Sequence, residues 1–222
     1  MNTSETGFEK NLSIYEQMLD EIQSPTANYN PPVAQMSVET LQAHVDPARA
    51  ALRTVTQTQA DYTFAVNDRQ AAYDDMNKRI TQVNTALPLF GVSARTLADF
   101  KSVYDKLKGY STVSEMGFEH LKENFGEYLM LLKKVTNYAP TDPDLTVEAL
   151  ESLESQLDDQ NQAVSQSDAA LSSARDTRNQ LMYDEQTGLV PLCKDVKQYY
   201  RSVEGVNGVM YKRLVSLMKP LR

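Results

Sequence analysis

Arg69 and Arg178 are the most pointed polar residues of this 222-residue chain. Each occupies a core-type heptad position, and they lie 109 residues apart. One seam reads Leu41, Ala48, Val55, Tyr62 and Arg69; the other reads Leu150, Leu157, Val164, Leu171 and Arg178. A guanidinium on such a seam must be paired, or must reach water along its alkyl stem. The expected role is pairing with an acid of a neighbouring helix, which sets register. Binding an anionic ligand between the two halves of the chain is the chemical alternative.

Other reactive groups are sparse. A di-iron bundle needs paired Glu-x-x-His motifs, but Leu41 precedes His44 by three residues and Gly117 precedes His120. With two His and a single Cys, a zinc site is not expected. His44 lies on a thin seam and reads as a packed, hydrogen-bonded side chain. His120, between Glu119 and Glu123, reads as a solvated face. Cys193 can form no disulfide within the chain. Lys194 and Lys197 could lower its pKa, yet a buried, inert thiol is the expectation. The chain has no glycine-rich phosphate loop and no G-x-S-x-G elbow. The many carboxylates are not isolated as an apolar pair suited to acid–base work. The expected sets of catalytic, cofactor-binding and metal-binding residues are therefore empty.

The elements that would position these residues read as helices. Phe8, Leu12, Tyr15, Leu19 and Ile22 follow at spacings of three and four, predicting a helix from about Ser4 to Gln23. "NYNPP" ends it. Ser37 then caps a long helix running to about Ala86, about 70 Å at 1.5 Å per residue. Met36 and Leu41 would staple its start, and Asp46-Pro47 should kink or restart it. Pro88 and Gly91 close it. A shorter helix from about Ala94 to Lys108 would bury Leu97, Phe100, Tyr104 and Leu107.

The same order then recurs. "SEMGFE" (114–119) matches "SETGFE" (4–9), and "NYAPTDPDLTVEAL" (Asn137–Leu150) matches "NYNPPVAQMSVETL" (Asn28–Leu41). Thr146 takes the place of Ser37, and Leu145 and Leu150 take the places of Met36 and Leu41. "GVN" followed by "MYKRL" resembles "GVS" followed by "DFKSV" with about three residues deleted. This predicts a tandem duplication, 1–110 and 111–222, each copy with a short, a long and a closing helix, the two packing as one unit. The recurring corner has a mechanical reading: Asn137 and Pro140 stop one helix, Thr146 and Glu148 start the next, and Leu145 and Leu150 staple it. "YDEQTGLVP" (Tyr183–Pro191) should break the second long helix, with a new helix over about Leu189–Val203 whose apolar positions include Val190, Leu192, Val196 and Tyr199. The seams are thin and rich in small residues, so a bundle is expected rather than a free coiled coil. The fold expected is all-α, an elongated antiparallel bundle.

Composition sets the function classes. Apolar residues are 41% and charged residues 23%, with a net charge of −8. Broad binding to nucleic acid is disfavoured. No apolar run approaches the roughly 20 residues of a membrane span. The first ten residues lack the apolar core of a secretory leader, so with Met1 as the native start the cytoplasm is expected. Eleven acids lie between Asp142 and Glu185 against two arginines, and seven bases between Lys194 and Arg222 against Asp195 and Glu204. The two segments are expected to pack near one another and neutralise.

The motifs at 114–130, Tyr138–Leu150, Gln186–Gly205 and Tyr211–Leu214 resemble an uncharacterised family of all-helical proteins from Bacteroidetes bacteria. Those proteins carry "YxPNExDLTVxxL", "NTGLVDIALDVKxYVKSVFG" and "YKQV" patterns. This chain departs from them at Pro191-Leu192-Cys193. The resemblance implies a helical bundle and no activity. A non-enzymatic structural or protein–protein interaction module is thus the leading expectation, with an unknown protein partner and a possible homo-oligomer. A second reading is a membrane-surface or nucleic-acid-binding accessory protein, using the Tyr/Lys/Arg-rich stretch from Lys197 to Arg222. A third is an enzyme with an unrecognised pocket between the copies.

Overall fold

The structure is a computed structural model that describes residues 5–110 and 117–221. Part of the SETGFE/SEMGFE match, Ser4 and Ser114–Met116, and the last base, Arg222, lie outside the described residues. Among the described residues, eight α-helices and three short 3-10 turns account for the regular structure, and no strand occurs. The helices are α1 (Glu5–Gln23), α2 (Val38–Ala43), α3 (Val45–Ala86), α4 (Ala94–Leu107), α5 (Phe118–Leu132), α6 (Val147–Tyr183), α7 (Leu189–Glu204) and α8 (Val209–Leu217). The protein is all-α.

The local signals act as expected at most ends. Ser37 accepts from the Thr40 amide at 3.2 Å, and Thr146 from the Ala149 amide at 3.2 Å. Each thereby satisfies one orphan donor of a first turn. The restart comes at His44, three residues before Pro47. Pro47 itself sits in the first turn of α3, where its missing amide costs no helical bond. Asn28 turns left-handed (φ 45°) after α1, whereas Asn137 does not. Gly91 (φ 69°) and Gly205 (φ 73°) end the segments before α4 and α8, in backbone conformations that side chains resist.

The compact units do not follow 1–110 and 111–222. One consists of the residues up to Ala60 together with those from Ala170 onward; the other is Asp61–Ala169. In the first, α1 packs on α7 and α8. Its core joins Tyr15, Met18 and Ile22 to Leu41, Leu52, Met182, Cys193, Val196, Tyr200 and Leu214. In the second, α4 packs on α5. Its core joins Tyr73, Met76, Ile80 and Val83 to Phe100, Leu107, Phe125, Tyr128, Leu150 and Leu157. Each large apolar side chain so buried contributes about 1.5–3 kcal/mol relative to exposure.

Candidate functional site

The two seam arginines meet aromatic rings. The Arg69 guanidinium lies over the Phe118 ring, 4.0 Å from its centroid, in the unit Asp61–Ala169. The Arg178 guanidinium lies over the Phe8 ring at 3.7 Å, in the other unit. The alkyl stem of each arginine stays with its long helix, and the flat cation spreads on the ring's negative face. A tyrosine borders each ring edge-on: Tyr73 at 4.7 Å from Phe118 and Tyr183 at 5.8 Å from Phe8.

The hydrogen bonds differ between the two places. Tyr73 donates to the Phe118 carbonyl at 2.8 Å, and buried Asn161 donates to the Tyr73 hydroxyl at 2.9 Å. Burial pushes the Tyr73 pKa up, while the Asn161 bond and the Arg69 charge pull it down. At the other place Asn11 donates to the Tyr183 hydroxyl at 3.3 Å, and Arg178 donates from Nε and Nη2 to Asn179 at 3.2 and 3.0 Å. Arg178 is 6% exposed. The expectation of an acidic partner on a neighbouring helix therefore fails for Arg69, which has no carboxylate at ion-pair distance among the described residues. Its Nε is buried without a hydrogen-bond partner. A ring can take the place of a carboxylate because its face is already negative and costs little to desolvate.

The recurring corner holds a feature that cap and staple reasoning passed over. Tyr29 donates to the Met36 carbonyl at 2.8 Å, and Tyr138 donates to the Leu145 carbonyl at 2.7 Å. Each tyrosine spans the turn and ties its exit to its entry. Each also carries an aromatic neighbour: Tyr199 edge-on at 5.2 Å and Tyr200 stacked at 5.8 Å on Tyr29, and Phe90 edge-on at 5.0 Å on Tyr138. Burial is the main cause that pushes both hydroxyls up, Tyr138 to about 12. The signal was in the sequence, since the Tyr recurs with the Asn and Pro, but a local reading gives a turn tyrosine no partner seven residues on.

The remaining candidates take structural places. Cys193 is buried, and burial pushes its thiol up to about 12 against a smaller opposing pull from Lys197. Lys194 is exposed. His44 caps α2, half-buried. His120 is exposed and lies 3.4 Å from Glu123. Among the described residues no three His, Cys, Asp or Glu side chains gather as a metal would require. No described helix is long and apolar enough to cross a membrane. The acidic segment finds its bases elsewhere than expected: Glu151 pairs with Lys133, Asp158 with Lys122, and Asp144 lies 3.9 Å from Arg79, while Arg213 reaches Glu21 of α1 at 3.3 Å.

In the C-terminal stretch the tyrosines face inward. Tyr200 is buried and donates to the Ala27 carbonyl at 3.1 Å, and Tyr199, expected among the apolar positions, is half-buried against the same core. Tyr199 accepts from the Asn30 amide at 3.0 Å, and Tyr211 packs on the core. Between α6 and α7, Asp184 accepts from the Gln186 and Thr187 amides and from the Thr187 hydroxyl. Those three bonds hold its carboxyl below the usual range. Open grooves occur on the surface, one between α1 and α3 lined by Glu9, Leu12, Glu16, Arg49 and Leu52, where Arg49 is already tied to Glu16 and Asp46. No protein-family model matches the chain, and neither does any curated protein or solved structure.

Proposed function

We propose that the chain is a non-enzymatic helical scaffold that binds a protein partner. The observation that carries this reading lies in the middle of α3. From Asp61 to Ala71 no residue is buried, and Phe64 is 67% exposed. These three turns of a continuous helix bury no residue fully, and an exposed phenylalanine is the kind of anchor that interfaces favour. The arginines, tyrosines and cysteine that could have done chemistry are bound up in packing, which supports the same reading. The resemblance to all-helical Bacteroidetes proteins is compatible with it.

A photo-crosslinking residue at position 64, in the full chain expressed in its native cell, tests this. The expected result is one recurrent adduct, with capture by an affinity-tagged chain lost on F64A while the circular dichroism of F64A is unchanged. No adduct under several growth conditions, with equal capture by F64A, would refute it.

A further inference from the structure

We infer that the chain is an internal pair of repeats that complete each other. The surface each repeat offers is filled by the other repeat, and neither closes a core from its own segments. This rests on contacts within the two compact units and is independent of Phe64.

The composition of the units comes first. The first unit takes α1, α2 and the start of α3 from residues 1–110, and the end of α6 with α7 and α8 from residues 111–222. The second takes the end of α3 with α4 from 1–110, and α5 with the start of α6 from 111–222. Each short helix thus lies on the closing helices of the other repeat: α1 on α7 and α8, α5 on α4.

The contacts are also reciprocal. Arg69 of the first repeat covers Phe118 of the second, and Arg178 of the second covers Phe8 of the first. Phe90 of the first sits edge-on to the corner Tyr138 of the second, and Tyr199 of the second sits edge-on to the corner Tyr29 of the first. A contact of i with j, matched by j with i, is the mark of a self-complementary pairing such as a symmetric dimer makes. Two independent tandem domains would instead place Phe8 against Arg69. The partner class is therefore a helical repeat of the same kind: a short amphipathic helix with Phe near its start, received by a long helix that offers Arg and an adjacent tyrosine. In this chain the slot is filled from within.

Two measurements on the full chain test this. In the first, a protease sequence inserted between Tyr110 and Gly117 is cleaved to completion. The fragments are expected to co-elute without denaturant at the position of the uncut chain, and to part only in denaturant. Fragments that elute apart, each folded, would overturn the inference. The second uses uncut variants and urea unfolding. F8A with R178A, and F118A with R69A, are expected to be non-additive, while F8A with R69A is additive. Additivity in both cross-repeat pairs, or coupling of F8A to R69A, would overturn it.

Discussion

Two buried tyrosines allow the same chemical change to be given opposite signs. Tyr15 and Tyr128 are both 0% exposed. The Tyr15 hydroxyl donates to the Leu41 carbonyl at 2.9 Å, whereas the Tyr128 hydroxyl is buried without a partner. Burial raises both pKa values above the ordinary tyrosine value of 10.0. In Y15F the Leu41 carbonyl keeps only the His44 amide at 3.3 Å. A lost net hydrogen bond of this kind costs about 1 kcal/mol. In Y128F the change removes an unpaired polar group whose burial costs about 1–3 kcal/mol, against a vacancy of one oxygen. Stabilisation of about 1 kcal/mol is expected. At about 2–4 °C per kcal/mol for a chain of this size, Y15F should melt lower and Y128F higher. Urea unfolding followed by near-ultraviolet circular dichroism reads both, at one ionic strength. If Y128F destabilises as much as Y15F, the hydroxyl accounting of the second core is wrong.

The corner tyrosines should behave as a matched set. Y29F and Y138F are each expected to cost about 1 kcal/mol, and a large loss in one with none in the other would separate the two corners. R178A should cost about 0.5–2 kcal/mol by loss of the ring contact, checked by urea unfolding. Cys193, its pKa pushed up to about 12 by burial, should stay unlabelled by a thiol reagent in the native chain and react fully in urea; fast native labelling would contradict its burial. Tyr138 has a folded pKa raised from 10.0 to about 12. Its contribution is therefore fully present below pH 10.0 and is lost as pH rises to about 12, so alkaline unfolding should be blunted in Y138F.

What the sequence disclosed follows from the range of each interaction. The cap at Ser37, the restart near Pro47, the Gly91 turn and the break before α7 are local, and the pattern of residues contains them. The seam from Leu150 to Leu171 is likewise readable, because period alone places those side chains on one face. The partners of Arg69 and Arg178 were not readable. A seam position says that a side chain points inward, and leaves open whether an acid or a ring meets it. The grouping of α1 with α7 and α8 was hidden for the same reason. A repeat in the sequence states which segments are alike and is silent on whether like segments close on themselves or on each other. Tyr29 and Tyr138 fall between these cases: the residues recur visibly, while their bonds span seven residues and need the fold.

Hydrogen exchange of the full chain in rising, sub-denaturing urea tests the central claim most directly. Amides that open together should fall into two groups: α1 with α7 and α8, and α4 with α5. Exchange in which α1 opens with α4, and α5 with α7 and α8, would contradict the account.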